Sequence, residues 1–399
     1  MNFTELVTSK GLFCDGDWIE KKDQDPNGAV RLIQLADIGV CEFKDKSNRF
    51  ITEAKAKERN CTYLQKGDIL IARLPDPLGR ACIFPLKGKY ITAVDVAIVR
   101  ISRNDVNPKY IMYMINSPGF HSEIVQYESG TTRKRISRRN LDKIEFAIPS
   151  LYEQNRIVAR IEELFSELDN GVETLRKTKQ QLAVYRQAVV KSVLDIYCKD
   201  AEVVQISDVC HDVKVGIVIK PTQYYVQSGG VRAFRNANVR RNFIEDNDWA
   251  MISQEGHKQN SRSEIHTGDV LIARSGVNLG MAAAVPEQYN GYNAIDVVIA
   301  VPNQDLVLSR YLAYYTNSPY GISSVKRNQR GVAQGHLNIT VYGKLPLMLP
   351  TIEVQESVIQ EIDARLSACD NIEKSVDTAL QQAEAMRQSI LKQAFEGNL

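Results

Sequence analysis

The chain has 399 residues, 44% of them hydrophobic and 25% charged, the balance of a globular protein long enough for two or three domains. Its 50 Lys and Arg against 48 Asp and Glu leave a net charge of +2, so a hold on nucleic acid would have to come from local patches and not from the overall field. Seven scattered cysteines without a CxxC pair, an opening stretch (MNFTELVTSKGLFCDGDWIE) without a basic head and apolar run, and no span-length apolar segment predict a cytoplasmic protein with neither a disulfide framework nor a membrane partner.

Along the chain, Asp68–Leu74, Arg80–Leu86 and Tyr90–Ile101 are rich in Ile, Val and Ala and are punctuated by Pro75, Pro77, Gly79, Pro85 and Gly88. They are predicted as strands joined by turns. Pro108 opens a predicted short helix over Lys109–Ile115, Ser117-Pro118 opens another ending near Gly130, and Leu141–Ile148 is predicted as a closing strand before Pro149. From Leu151 to about Tyr197 there is no proline and one glycine. Apolar residues fall there in steps of three and four, at Ile157, Ile161, Leu164, Leu168, Val172, Leu175, Leu182, Tyr185, Val189 and Val193, the stripe of a long amphipathic helix.

The chain then repeats itself. Gly67-Asp68-Ile69-Leu70-Ile71-Ala72-Arg73 recurs as Gly268-Asp269-Val270-Leu271-Ile272-Ala273-Arg274, an offset of 201. The same offset carries Gly79 to Gly280, Asp95-Val96 to Asp296-Val297, Asn116-Ser117-Pro118 to Asn317-Ser318-Pro319, and Gln154 to Gln355. So many matches in one register mark a duplicated module. A second striped helix follows, from about Glu353 to Phe395, with Val358, Ile362, Cys369, Val376, Ala379, Ala383, Met386, Ile390 and Ala394 on its apolar face. The expected fold is α/β (α+β): globular domains at 1–150 and 199–350, and long helices at 151–198 and 351–399. An apolar stripe on a helix of ~45 residues, roughly 65–70 Å at ~1.5 Å per residue, cannot stay in water. The two helices are therefore expected to pack as an antiparallel coiled coil holding the domains apart; each folding back on its own domain is the alternative.

Catalytic signatures are missing. There is no phosphate-binding GxxxxGK[ST] loop, no Asn-Pro-Pro-aromatic or Asp-Pro-Pro-aromatic tetrapeptide of amino-methyltransferases, and no Gly-x-Ser-x-Gly elbow. His121, His211, His257, His266 and His336 are dispersed without metal-ligand spacing. No catalytic residue, metal site or cofactor is expected in this chain; a duplicated protein without a duplicated catalytic constellation points to binding.

The densest positive run is Arg133-Lys134-Arg135-Ile136-Ser137-Arg138-Arg139, directly after Gly130-Thr131-Thr132. Such side chains in a loop suit phosphates, and arginine also suits guanine edges. The matching region of the second half holds Lys326, Arg327 and Arg330, then Gln334, His336 and Asn338. Arg232, Arg235, Arg240 and Arg241 form a further group, interleaved with Asn236, Asn238, Asn242 and Phe234, while Arg73 and Arg274 end the repeated strand, each either a shared phosphate contact or a rim residue in a salt bridge. Framework residues match between the halves, whereas Arg133–Arg139 faces Gln334–Thr340, as expected of two scaffolds that recognise different sequences.

The junctions Ile148-Pro149-Ser150-Leu151-Tyr152-Glu153-Gln154 and Leu349-Pro350-Thr351-Ile352-Glu353-Val354-Gln355, with Lys66-Gly67-Asp68-Ile69-Leu70 and the helix ends Ala188–Leu194 and Ser389–Phe395, resemble the DNA specificity subunits of Type I restriction–modification enzymes over essentially the whole chain. The repeat departs in having Val354 before its Gln, with the acid one place earlier. The resemblance implies two target-recognition domains, each taking half of a bipartite, asymmetric double-stranded DNA site, with the helical rod fixing the spacer. It implies docking of two modification subunits, which carry S-adenosylmethionine, and of restriction subunits that use ATP and Mg²⁺. Two competing readings are a coiled-coil scaffold for protein partners without DNA readout, and a DNA enzyme with an unrecognised site.

Overall fold

The computed structural model describes all residues except 8–9, 76, 132 and 329–335, and only the backbone of residue 328. Contacts divide the chain into two units, Met1–Leu175 with Thr378–Leu399, and Arg176–Asp377. Both divisions fall inside long helices, so each unit contains the first part of one helix and the last part of the other.

The first unit runs α1 (Phe3–Leu6), β1 (Leu12–Asp15), β2 (Val30–Ile33), β3 (Arg49–Ile51), α2 (Glu53–Glu58), β4 (Ile69–Ala72), β5 (Ala81–Ile83), β6 (Tyr90–Thr92), β7 (Val96–Arg100), α3 (Pro108–Ile115), α4 (Pro118–Gln126) and α5 (Arg138–Leu141), and enters α6 (Leu151–Tyr197). One sheet has the order β1-β7-β4-β5, antiparallel throughout; the other is β3-β2-β6, with β2 antiparallel to β3 and parallel to β6. The repeated heptapeptide supplies β4, and its alternation decides the packing. Ile69 and Ile71 face a core shared with α3 and the long helices, while Leu70 and Ala72 face a second core with Ile33 and Phe84. Both faces are covered, which is why the run is apolar at every position.

The second unit repeats this plan with β8 (Glu202–Gln205), β9 (Cys210–Val215), β10 (Val231–Phe234), β11 (Ala250–Ile252), α7 (Gln254–Gln259), β12 (Val270–Ala273), β13 (Ala282–Ala284), β14 (Asn293–Ala294), β15 (Val297–Pro302), α8 (Ser309–Asn317), α9 (Pro319–Asn328), α10 (Ile339–Gly343), β16 (Pro346–Leu349) and α11 (Ile352–Phe395). Its sheets are β13-β12-β15-β9 and β11-β10-β14, the same orders with the same strand directions, plus a β16-β8 pair.

Side-chain devices recur with the topology. The buried Asn116 amide accepts from Ala81 N–H at 3.0 Å and donates to the Ala81 and Met112 carbonyls; Asn317 does the same with Ala282 and Ala313. Gln154, fully buried, accepts from Asn107 N–H and donates to the carbonyls of Asp105 and Pro149. Gln355 ties Leu308, Leu306 and Pro350 together identically. Gly79 and Gly280 both have left-handed backbones (φ +83° and +78°) and press against Ile124 and Val325, so a β-carbon is excluded by conformation and at Gly79 also by space.

Within the first unit, Ile157, Val158, Ile161 and Phe165 of α6 share a core with Ile390, Leu391 and Ala394 of α11 and with α3. Arg387 pairs with Asp169 and lies over the Phe165 ring. Within the second unit, Val189, Val190, Val193 and Leu194 of α6 share a core with Val358, Ile359 and Ile362 of α11 and with α8. There Arg186 reaches Asp370 and Glu373 at 2.5 and 2.8 Å, and Lys179 reaches Asp377 at 2.7 Å. Rising numbers on one helix meet falling numbers on the other, so the pairing is antiparallel. Each stripe buries itself against the other helix and against a globular core at once, where the sequence posed these as alternatives.

Four expectations need correction. Tyr90–Ile101 is two strands in different sheets, because Asp95 sits in a turn between them. The second short helix ends at Gln126, capped at Tyr127, short of Gly130. Leu141–Ile148 forms no strand: Leu141 ends α5, residues 142–144 continue in helical turns, and the Phe146–Met1 pair of backbone hydrogen bonds is too little for a ladder, whereas its repeat contains β16. Tyr185 and Met386, placed on the apolar stripes, are 53% and 54% exposed.

Candidate nucleic-acid interface

In the first unit, Ser129 and Arg135 exchange backbone hydrogen bonds at 2.8 Å and close a tight loop. Gly130 has φ +98°, and a β-carbon on it would lie 2.5 Å from the Arg133 carbonyl oxygen, so the loop requires glycine there. Thr131, Arg133, Lys134 and Arg135 are exposed on it; Thr132 lies outside the described residues. Lys134 pairs with Glu128 at 2.5 Å. The buried Ile136 fastens the loop, its N–H donating to the Arg73 carbonyl at 3.1 Å. Ser137 then caps α5, which presents Arg138 and the exposed Arg139.

Arg73 is only 15% exposed, with Nη1 3.1 Å from Asp15 and Nη2 donating to the Val94 carbonyl. Arg138 approaches the same carboxylate at 3.5 Å and lies over the Phe13 ring. Asp15, at the end of β1, thus holds the arginine after β4 and the one that opens α5.

The second unit builds the same anchor differently. Leu337 N–H donates to the Arg274 carbonyl at 2.8 Å, repeating the Ile136–Arg73 tie. The Arg274 guanidinium is 3.2 Å from Asp296, and the Arg274 backbone N–H donates to Asn236 Oδ1 at 2.7 Å. Asn236 in turn donates to the Asp296 carbonyl and to Ser275 Oγ. Arg235 pairs with Asp248 at 2.8 Å and Arg240 with Glu245 at 3.5 Å, while Arg232 donates to the Tyr292 hydroxyl at 3.3 Å. Arg241 and Lys326 line a common hollow; Arg327 donates to the Ser323 carbonyl one turn back. His336 is exposed, and Arg330 and Gln334 lie outside the described residues.

The candidates therefore fall into two groups. Arg73, Lys134, Arg138, Arg235, Arg240 and Arg274 already have an acidic partner, so a phosphate would have to compete with it. Arg133, Arg135, Arg139, Arg232, Arg241, Lys326 and Arg327 form no ion pair among the described residues, and their charge is free for an external anion. Sequence reasoning missed Asp15, Asp296 and Phe13, which position the arginines. The signal for Asp296 was available, since Asp95-Val96 and Asp296-Val297 are matched by the repeat. Among the described residues, no cluster of three or more His, Cys, Asp or Glu side chains is placed to hold a metal ion. No helix among them is long and apolar enough to cross a membrane.

Two segments of the chain, residues 10–182 and 198–382, match the family model of the Type I restriction modification DNA specificity domain. The chain is 25% identical over 326 residues to the Type I restriction enzyme EcoBI specificity subunit of Escherichia coli, covering 76% of this chain and 68% of that protein. It is 24% identical over 305 residues to the StySPI specificity subunit of Salmonella potsdam, covering 74% and 66%. The matched regions thus span about two thirds of the length of these relatives. The fold is shared with a chain from a structure describing assembly and conformational transition of a type I R-M system (TM-score 0.68, 16% identity, 98% and 99% coverage). It is shared also with the HsdS subunit of Thermoanaerobacter tengcongensis (TM-score 0.52, 15% identity, 98% of each chain). Two tandem family matches, each on one copy of a duplicated α/β plan followed by a long helix, establish that the chain belongs to the Type I restriction–modification DNA specificity family.

Proposed function

We propose that this chain is the sequence-reading, non-catalytic subunit of a cytoplasmic Type I assembly. Its recognition domains, 1–150 and 199–350, each take one half of a bipartite, asymmetric double-stranded DNA site. The helices 151–198 and 351–399 set the unread spacer and dock modification subunits, two of them, with restriction subunits joining that core. S-adenosylmethionine and ATP with Mg²⁺ belong to those partners. The observation that carries this reading is one scaffold used twice with unlike sequences at the cation-bearing segment: Asn116, Gln154 and Gly79 have structural counterparts in Asn317, Gln355 and Gly280, whereas the basic run Arg133–Arg139 aligns with residues 334–340, which contain no Lys or Arg. Phosphate contacts position a protein on DNA and base contacts specify; a common frame with different loops meets both needs.

Selection of the full chain against a randomised duplex pool tests the reading. A two-part consensus with a fixed gap is expected. Absence of enrichment, with helix-dependent capture of protein partners only, would instead support a coiled-coil scaffold. Incubating the chain alone with DNA and labelled S-adenosylmethionine, or with Mg²⁺, should give no turnover; methylated or cleaved DNA would make it an enzyme.

A further inference from the structure

The two units carry the same turn with opposite chemistry. In the first, Ile38 and Phe43 are bridged around Gly39-Val40-Cys41-Glu42; Cys41 has φ +59° and its N–H donates to the Ala81 carbonyl at 2.9 Å. In the second, Val239 and Ile244 are bridged around Arg240-Arg241-Asn242-Phe243; Asn242 has φ +66° and donates to the Ala282 carbonyl, also at 2.9 Å. Backbone and anchorage are the same, so the side chain after the first turn residue is placed alike: Val40 in one unit, Arg241 in the other.

A second position differs in the same direction. Val125, on α4, corresponds to Lys326 in the last turn of α9. Arg241 and Lys326 line one hollow of about 220 Å³, together with Val277, Gly280, Met281 and Val325. Neither cation has an acidic partner among the described residues, whereas the neighbouring Arg240 is matched by Glu245. In sequence, residues 331–336 after α9 are the counterpart of the first unit's cation-bearing loop under the 201-residue offset. Where that loop carries Arg133, Lys134 and Arg135, residues 331–336 carry no Lys or Arg at all. Positive charge has moved from the loop to the hollow.

We infer that this hollow is a phosphate seat, in which Arg241 and Lys326 together clasp one backbone phosphate of the DNA half-site taken by the second unit, a grip the first unit lacks. The inference rests on the proposed DNA-reading function. Two cations converging on a concave site without a competing carboxylate suit a single phosphodiester, and such a contact fixes position without carrying sequence information.

The experiment is the salt dependence of binding of the full chain to its selected duplex. Arg241→Ala/Lys326→Ala should lower the log–log slope by about 0.9, one phosphate's share, so that affinity falls roughly 3.5-fold less steeply between 50 and 200 mM salt. The selected consensus should stay the same, and Arg241→Lys/Lys326→Arg should keep the wild-type slope. An unchanged slope in the alanine variant, a slope lost equally in the charge-conserving variant, or a changed base preference would each overturn the seat. A wild-type chain that selects no duplex would remove the DNA-reading function and the seat with it; a selective wild type with an insensitive alanine variant removes the seat alone.

Discussion

Gln154 and Gln355 each satisfy three backbone groups from a fully buried position, joining the start of a long helix to the loop before α3 or α8. Removing such an amide strands buried donors and acceptors at about 1–3 kcal/mol each. Gln154→Ala and Gln355→Ala should therefore each destabilise their own unit by about 2 kcal/mol or more, read from denaturant unfolding. Equal, small losses below about 0.5 kcal/mol would show that the amides are dispensable. Asp17 gives a pH signature. Burial pushes its carboxyl up from 3.8 to about 6, although the Thr62 N–H and the Cys61 thiol both donate to it. Between about pH 4 and 6 the unfolded chain has released this proton and the folded chain still holds it. Stability therefore falls as pH rises through that window and levels off above it. Asp17→Asn should remove the slope, so the variant gains on the wild type from pH 4 to pH 7; a pH-independent difference would refute the assignment.

At the scale of elements, apolar burial and charge pairing contribute unequally. Ile161 and Ile362 occupy equivalent, fully buried places where α6 and α11 meet the two globular cores. Ile161→Ala and Ile362→Ala should each cost about 2–5 kcal/mol. Arg186→Ala should cost under about 1 kcal/mol, because its carboxylate partners are about half or more exposed or only partly shielded and such pairs contribute little. The reverse order of losses in calorimetry would mean that charge, not packing, sets the helix pairing. The cation-bearing loop tests the candidate interface in the same way. Arg133→Ala/Lys134→Ala/Arg135→Ala should flatten the salt dependence of DNA binding by up to about 0.9 in slope per phosphate released, and an unaltered slope would take the loop out of the interface. Much of this was legible in the chain itself. The 201-residue offset located both copies of the module, and proline-free striped runs located α6 and α11 almost to the residue. What the stripe did not reveal is that it faces two things, a helix and a globular core, since periodicity reports which side is apolar and not what covers it. Likewise, a run of arginines reports charge but not its neutralisation. Asp15 lies 58 positions before Arg73 and 123 before Arg138, and only the fold brings them together.

For the whole molecule, the decisive property is that the long helices are continuous through the junction between the units and paired antiparallel inside each. Arg186–Asp370 in the second unit and Arg387–Asp169 in the first are the same contact under the 201-residue offset, so each unit pairs its two helix segments in the same way. The proposed ruler cannot be lengthened on one side. Four residues added to α6 alone would slide its stripe about 6 Å along α11 and shift Lys179 past Asp377, disrupting the pairing. Four residues inserted after Gln180 and four after Val376, with the apolar period preserved, should instead extend both helices by about 6 Å. That is close to two base pairs at roughly 3.4 Å each. The duplex selected by the doubly inserted chain should keep both half-site sequences and gain one or two base pairs of gap between them. A gap of unchanged length, with both half-sites still selected, would mean that something other than the paired helices sets the spacing.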